Sequence, residues 1–362
     1  MKAETTSTVF GDRRLVLCVG PGGVGKTTCA AALALHAAEQ GRRVIVVTID
    51  PSRRLAQALG FSTETSGEIV AVLREPEVHL DALILDGAKV FDTIVRDNAS
   101  NPAMSAAILR SRFYQATAKH LSGALEFAAM ARVQMLVDAG DHDLIVLDTP
   151  PTANAIDFLN APKRVRELID NPGARLLAGT GRLGARLLGL GGAVFRTTLE
   201  RIGGGAFLGD LGSFLREFAD VLGEFQRRGG DFEQLLRSRA TGVLLVTSAS
   251  PFSTREADEF LAQLADYGLR IDAVLLNRID AVVPEPPSRN EYEQSLGEAD
   301  PELARRAWVA YDGAYNLGQR TRRSIEAITG SREGLRVWAS PRLTEAPDTL
   351  ERLRVLGREI FS

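Results

Sequence analysis

A glycine-rich segment, CVGPGGVGKTTCA from Cys18 to Ala30, constrains the fold of this chain more than any other stretch. Between Gly20 and Thr27 it matches the pattern G-x-x-x-x-G-K-[ST]. The apolar run from Leu15 to Val19 precedes it, and a helical stretch from Lys26 to Gln40 follows. A strand that turns through glycines into a helix presents backbone N–H groups and a helix N-terminus to an anion. The segment therefore predicts a phosphate-binding loop in an α/β fold.

The motif gives separate tasks to the parts of this loop. We expect Lys26 to bridge the β- and γ-phosphates of a nucleotide, Thr27 to hold Mg²⁺ and Thr28 to touch the α-phosphate. The alternative, a tight turn with an incidental lysine, is disfavoured by the flanking strand and helix patterns. The predicted nucleotide-binding residues of the loop are Gly22, Gly23, Val24, Gly25, Lys26, Thr27 and Thr28.

The wider pattern alternates apolar, β-branched runs with amphipathic stretches. The runs that read as buried strands are Leu15 to Val19, Val44 to Thr48, Leu80 to Leu85, Leu144 to Leu147, Val243 to Thr247 and Ala273 to Leu276. Helical stretches such as Ala124 to Asp138 and Arg255 to Tyr267 lie between them. This alternation predicts an α/β fold with a doubly wound, mostly parallel sheet and helices on both faces.

Uneven spacing of the strands predicts an insertion. Almost 100 residues separate Leu147 from Val243, and they read as helical. We expect one domain over residues 1–362, with a helical subdomain from roughly 91–135 and 160–238 inserted in it. The part from Leu176 to Phe218 is rich in glycine, leucine and phenylalanine. It predicts a pliable apolar surface for a hydrophobic client, or else residues that pack the subdomain and a dimer contact.

Two aspartates follow predicted strands. In LIVLDTPPT, Asp148 ends an apolar strand, where an acid that holds a magnesium-bound water is expected. In VIVVTIDPSRRL, Asp50 lies at the carboxyl end of the second strand, where it can orient an attacking water. The alternatives are a helix cap at Asp148 and, at Asp50, an ordinary Asp-Pro turn, which would be favoured for that dipeptide alone.

Composition excludes several kinds of partner. The formal net charge of −3 gives no general attraction to nucleic acid, so no nucleic-acid partner is expected. The two cysteines, Cys18 and Cys29, form no C-x-x-C pair, so no zinc site is expected. The start of the chain has no apolar core typical of a signal peptide, and no run of about 18 apolar residues occurs. These features predict a cytoplasmic protein.

The motifs, taken in order, resemble the ATPases of the arsenite-efflux pump and of guided entry of tail-anchored proteins. The loop from Gly20 to Thr28 is similar to the family loop G-K-G-G-V-G-K-T-T. The segments Asp50 to Arg53 and Asp148 to Asn154 resemble its two switch segments. VLLNR, which contains Asn277, resembles the strand end that recognises adenine, and SPRLTE from Ser340 resembles a loop beside the base.

The resemblance implies an ATPase that binds ATP and Mg²⁺ and works as a dimer. It implies that Asp50 positions the attacking water and that Asp148, besides holding Mg²⁺ with Thr27, reports the γ-phosphate to the helical subdomain. It also implies that Asn277 contacts the adenine edge. A hydrophobic client or a membrane protein is the expected partner, which allows peripheral association with a membrane.

One departure from the family concerns catalysis. Pro21 stands where the family has a lysine that reaches across the dimer to the partner's phosphates, and proline offers neither an ammonium group nor an N–H. We therefore expect slow hydrolysis, unless Arg53 or Arg54 substitutes or a paralogous subunit of a heterodimer supplies the lysine. A cation delivered in trans is worth about 10³ to 10⁵ in rate.

Two other functions stay open from the sequence. The first is a Par/Min-type positioning ATPase, which shares the loop chemistry and the D-T-P-P segment, although the long insertion after Asp148 argues against it. The second is a catalytically weak nucleotide-binding subunit of a heterodimer, since Pro21 removes the signature lysine.

Overall fold

The structure is a computed structural model, and it describes residues 10–49, 54–112, 114–115, 124–150, 158–160, 163, 167, 219–269, 271–295, 301–330 and 335–361. These residues form an eight-stranded sheet. In chain order its strands are β1 (Leu15–Val19), β2 (Arg43–Thr48), β3 (Val70–Glu75), β4 (Val78–Ile84), β5 (Leu144–Asp148), β6 (Thr241–Ser248), β7 (Ala273–Ile279) and β8 (Arg336–Pro341).

Helices fill most of the remaining described chain, with one short 3-10 turn at Thr63–Thr65. The helices are α1 (Lys26–Glu39), α2 (Arg54–Leu59), α3 (Gly87–Asn98), α4 (Pro102–Arg110), α5 (Ala124–Ala139), α6 (Ala219–Arg237), α7 (Pro251–Asp266), α8 (Arg289–Ser295), α9 (Pro301–Gly330) and α10 (Leu350–Phe361).

The strands lie in the order β3-β4-β2-β5-β1-β6-β7-β8, and only the β3–β4 pair is antiparallel. Strand β1 is central, between β5 and β6, and all of its residues are buried. Because successive side chains point to opposite faces, Leu15, Leu17 and Val19 join one apolar layer, while Val16 and Cys18 join the other. This placement brings the segment after β1 to the middle of the sheet's carboxyl edge, where ligands of α/β folds bind.

Helices α1 and α10 pack closely on one face of the sheet. Helix α1 is rich in alanine, and a Cβ atom added at Gly357 of α10 would lie 2.8 Å from the carbonyl oxygen of Ala32. The same contact contains buried Leu353 and Leu356, and Arg354 forms an ion pair with Glu39 at 2.5 Å. Small side chains on α1 therefore allow α10 to support the helix that begins at the phosphate loop.

The predicted α/β fold with a mostly parallel sheet is confirmed, and so are the six strands expected from apolar runs. Two strands were not predicted. Strand β3 lies at one edge of the sheet and β8 at the other, and both are only partly buried. The segment SPRLTE was expected to be a loop, but its first two residues, Ser340 and Pro341, end β8.

Helices α3, α4 and α5 cover most of the first segment expected to contribute to a helical subdomain. In the second segment, α6 is described from Ala219, and most of 160–218 lies outside the described residues. The apolar surface expected from Leu176 to Phe218 lies there as well, so the inserted subdomain and its client surface stay predictions. No helix in the described ranges combines the length and apolar character needed to cross a bilayer.

Candidate nucleotide-binding site

The phosphate loop connects β1 to α1 through glycines with unusual backbone geometry. Gly20 has φ +143°, and a Cβ atom there would lie 1.9 Å from the carbonyl oxygen of Val246 in neighbouring β6. Gly25, which caps the N-terminus of α1, has φ +94° in the left-handed region. These are positions that an L side chain rarely accepts, so glycines 20 and 25 are required by the loop's shape and by its contact with β6.

The beginning of α1 has the features of an anion site. An α-helix leaves its first four N–H groups without intrahelical partners, and Gly25 has no side chain to cap them. The first turn, which contains Thr27 and Thr28, carries no acidic residue that would oppose an anion. The positive end of the helix dipole adds to this potential. The predicted phosphate-binding residues 22–28 therefore meet at one helix N-terminus.

Lys26 lies inside the loop. Its side chain is buried, and its Nζ donates a hydrogen bond to the carbonyl oxygen of Pro21 at 2.8 Å. Pro21 is buried too, so it contributes a carbonyl to the loop while contributing no cation. The ammonium group of Lys26 is therefore held against the same loop that is expected to receive phosphate oxygens.

A carboxylate and two hydroxyls meet beside the loop. The Thr27 hydroxyl donates to Oδ2 of Asp148 at 2.7 Å, and the Thr48 hydroxyl donates to the same oxygen at 3.0 Å. Asp148 is 1% exposed, and the parallel registers of β1, β2 and β5 align it with Cys18 and Thr48. Because the proton of Thr27 points to Asp148, its lone pairs remain for a cation. A hydroxyl and a carboxylate are oxygen donors that suit Mg²⁺.

Two consecutive residues of β7 clamp the loop from the other side. Asn277 Nδ2 donates to the carbonyl oxygen of Val24 at 2.7 Å, and Arg278 Nη1 donates to that of Gly23 at 3.0 Å. Asn277 Oδ1 also accepts the backbone N–H of Arg278, which has φ +57°. Both polar atoms of the Asn277 amide are thus bound to backbone groups, and its contact with adenine stays a prediction.

The two cysteines lie under the site as inert core residues. Cys18 and Cys29 are free thiols with no exposed surface. Burial raises the pKa of Cys18 well above its usual value and that of Cys29 to about 12. Both thiols therefore stay protonated near neutral pH. Within the described ranges, His, Cys, Asp and Glu side chains form no group of three that could hold a metal ion.

A cavity of about 300 Å³ borders the phosphate loop. Residues 22–24 of the loop form one side, and the turn from Ser248 to Ser253 forms another. Helix α9 contributes Leu317, Arg320 and Thr321, and the ends of β7 and β8 contribute Arg278, Asp280 and Arg342. The cavity therefore joins the loop to the strand end and the last loop expected beside the base.

Some predicted site residues lie outside the described chain. These are Asp50 and Arg53, together with most of the second switch segment, from Pro151 to Asn154. Arg54 begins α2, but its side chain is not among the described parts. The role of Asp50 in orienting water therefore stays a prediction, as does the substitution of either arginine for the missing lysine.

Three functional candidates were missed by sequence reasoning. Thr48 is the last residue of β2, and its pairing with Asp148 follows from register, which one sequence does not reveal. Arg278 directly follows Asn277, so the basic residue after the VLLN run was the signal for it. Asp280 lies two residues further on and lines the cavity, and its signal was a carboxylate just beyond a strand at the binding edge.

Comparison with known proteins agrees with this geometry. The family model described as Anion-transporting ATPase matches residues 13–296, which include the phosphate loop, β5 and β7. An uncharacterized protein from Streptomyces coelicolor is 30% identical over 267 residues, covering 74% of this chain and 62% of that protein. The chain thus spans less than two thirds of that relative's length.

Two further relatives carry descriptive names. ATPase GET3 from Malassezia globosa is 25% identical, over 76% of this chain and 75% of its own. A protein of Aquifex aeolicus, named as an arsenical pump-driving ATPase, is 24% identical, over 77% of this chain and 65% of its own. Together with the family match over most of the sequence, the loop geometry supports one assignment. The chain belongs to the anion-transporting ATPase family, a family of ATPases.

Proposed function

We propose that this chain is a magnesium-dependent ATPase that converts ATP and water to ADP and phosphate. The observation that carries the proposal is the contact between the Thr27 hydroxyl and Asp148, beside a lysine-bearing helix N-terminus. The backbone of residues 22–28 would bind the phosphates, and Lys26 would exchange its Pro21 contact for phosphate oxygens. Thr27 would hold Mg²⁺ directly and Asp148 through a water molecule.

The protein's part in hydrolysis is mainly to position groups and to stabilise charge. Water attacks the γ-phosphorus, the bond to the bridging oxygen of ADP breaks with its electrons left on ADP, and the proton lost by the attacking water passes to the released phosphate or to solvent. Mg²⁺, when bound, supplies positive charge to the phosphate oxygens. Asn277 and Arg278 hold the carbonyls of the loop, so that the loop keeps its shape around the phosphates. Asp50 is the proposed residue that orients water.

The proposal includes a dimer with a hydrophobic client or a membrane partner, in the manner of the family. Support for it comes from the relatives named for GET3 and for an arsenical pump. Because Pro21 replaces the lysine of the family, we expect this chain to hydrolyse ATP slowly on its own. A paralogous subunit in a heterodimer would supply the missing lysine in trans. A cytoplasmic protein that meets a membrane at its periphery fits this proposal.

Phosphate release with Mg²⁺ or with EDTA tests the activity. We expect magnesium-dependent turnover in the unaltered chain and a loss of at least a hundredfold in Lys26→Ala and Asp148→Asn. Asp143→Asn is the matched control, because Asp143 pairs with Arg43 at the opposite end of β5, where the pair is half exposed. Equal turnover in Asp148→Asn and Asp143→Asn would contradict the proposed site.

The role of Pro21 has its own test. Pro21→Lys restores the family cation, whereas Pro21→Ala removes the proline ring without adding charge. We expect Pro21→Lys to raise turnover at least tenfold and Pro21→Ala to leave it within threefold. If the unaltered chain binds ATP but releases no phosphate, alone or with a paralogous ATPase, the chain is instead a nucleotide-binding subunit without hydrolytic activity.

A further inference from the structure

The cavity beside the phosphate loop offers space for the base of a bound nucleotide. Gly22, Gly23 and Val24 of the loop also line the cavity, so the rest of a nucleotide whose phosphates occupy the loop can extend into it. Its volume of about 300 Å³ is at the lower end for small-molecule sites. Leu317, 44% exposed, gives it an apolar surface on which a flat ring can lie.

A base in this cavity needs a polar group that reads its edge. Asn277 is the residue expected from the sequence, and its amide uses one N–H for the Val24 carbonyl and one lone pair for the Arg278 N–H, so a second group is needed to read more than one position of the base. Asp280 is the third residue after Asn277, so it lies at most about 11 Å further along the chain, directly after the same strand. Asp280 lines the cavity, and 23% of its side chain is exposed.

The chemistry of a carboxylate distinguishes between purines. An ionised carboxylate only accepts hydrogen bonds, through two oxygens. Guanine presents two adjacent donors, N1–H and the N2 amino group, which match both oxygens at once. Adenine presents one donor, its N6 amino group, beside the lone pair of N1, which a carboxylate oxygen repels. Asp280 is therefore better suited to guanine than to adenine.

Arg342 now occupies Asp280, but the pair can open. Arg342 Nε donates to Asp280 Oδ1 at 2.9 Å, and Nη2 donates to Oδ2 at 3.4 Å. The side chain of Arg342 is 61% exposed, and exposed ion pairs are among the weakest interactions in proteins. Two charge-assisted hydrogen bonds from a base would take the place of the two that Arg342 gives up, and the freed guanidinium would return to water.

We propose that the site binds guanine nucleotides as well as ATP, with Asp280 accepting hydrogen bonds from N1 and N2 of guanine. GTP would then be a second substrate of the same phosphate loop. This inference rests on the proposed nucleotide site, but it fails separately. If ATP binds and is hydrolysed while GTP is neither bound nor hydrolysed, only this inference is wrong. If neither nucleotide binds, both proposals are wrong.

Calorimetric binding of GTP and ATP to the full chain with Mg²⁺ is the first test. We expect GTP to bind with an affinity within tenfold of that of ATP, or tighter. Asp280→Ala should weaken GTP at least tenfold and change ATP less than threefold, because only guanine uses both oxygens. Equal losses for both nucleotides, or no loss of GTP affinity, would overturn the assignment.

A rescue experiment separates base reading from a structural role. Asp280→Asn replaces two acceptors by one acceptor and one donor, which match N1–H and the C2 carbonyl of xanthine. We expect this variant to lose at least tenfold in GTP affinity and to gain at least tenfold in affinity for xanthosine triphosphate. A misfolded variant cannot gain a ligand, so a loss of GTP without the gain of xanthosine triphosphate contradicts the proposal.

Arg342→Ala is the matched control, because it removes the same ion pair and leaves the carboxylate in place. We expect its GTP affinity to stay within threefold of the unaltered chain, since the carboxylate that accepts the hydrogen bonds of the base is unchanged. If Arg342→Ala and Asp280→Ala lose GTP affinity in parallel, the ion pair and not the carboxylate is responsible, and the proposal is wrong.

Discussion

Replacing Asn277 by alanine should loosen the phosphate loop measurably. The side chain is 7% exposed, and it links β7 to the loop through the 2.7 Å bond to the Val24 carbonyl. Val24 is itself buried, so its carbonyl loses a partner that water does not readily replace. Leaving a buried acceptor unsatisfied costs about 1–3 kcal/mol in the free energy of unfolding.

This cost can be converted to two measurable changes. At about 2.1 cal/mol/K of unfolding entropy per residue, a cooperative chain of 362 residues loses about 1.3 °C in Tm for each kcal/mol. We therefore expect Tm to fall by about 1–4 °C in differential scanning fluorimetry without nucleotide. In the variant the ligand must order the loop itself. If the ligand offsets the whole cost of about 1–3 kcal/mol, ATP affinity falls about 5- to 150-fold, at about 1.4 kcal/mol per tenfold.

A matched control is Asn316→Ala, which removes the same side chain from an exposed position on α9. Among the described residues, the Asn316 side chain bonds to Asp312 one turn earlier, so its loss should change stability by less than about 0.5 kcal/mol. If Asn277→Ala and Asn316→Ala have the same Tm and the same ATP affinity, the clamp on the loop does not act as we describe.

Three further predictions concern the core around the site. Gly20→Ala should cost about 3 kcal/mol or more, measured by urea unfolding, because its Cβ would lie 1.9 Å from the Val246 carbonyl oxygen. Burial lowers the pKa of His36, so the unfolded chain binds a proton at this residue more readily than the folded chain does. The free energy of unfolding should therefore be unaffected by His36 above about pH 6.5 and should fall as pH drops below that value. Denaturation midpoints measured from about pH 8 to about pH 5 check this. Cys18 and Cys29 should not react with an aromatic disulfide reagent until the chain is unfolded, because both are buried and their pKa values are raised.

Each of these has a clear contradicting result. Gly223→Ala is the control for the loop glycine, because a Cβ there meets nothing within 4 Å in helix α6, and it should stabilise by about 0.5–1 kcal/mol. Similar effects of the two glycine substitutions would refute the close approach to β6. A His36→Gln variant that keeps the full acid sensitivity would remove His36 as its cause. Rapid labelling of native thiols would show that the two cysteines are not sealed in the core.

The sequence was most informative where burial and motif agree. The apolar runs predicted the central strands because a strand covered on both faces needs apolar side chains at every position. It failed at the edges, where β3 and β8 are half exposed and their runs, VAVLRE and RVWASP, are mixed. Local periodicity therefore identifies the middle of this sheet better than its margins.

The same division applies to the site. The loop residues and Asp148 were predicted because their chemistry requires particular residue types at a fixed spacing. Thr48 and Arg278 were not, since their contacts with Asp148 and Gly23 depend on strand register and on a positive φ angle. Asn277 is a third case: its contact with adenine stays a prediction, and its hydrogen bonds described here go to the Val24 carbonyl of the loop and to the Arg278 N–H of β7.

Gly357 of α10 packs directly against Ala32 of α1, so α10 contacts the helix that begins at the phosphate loop. A triphosphate that steadies the first turn of α1 also steadies the alanine surface on which α10 rests. Amide hydrogens in Leu350–Phe361 should then exchange with deuterium more slowly once ATP is present. Conversely, Gly357→Ala would press a methyl group against the backbone of α1, and we expect it to weaken ATP binding at the other end of that helix.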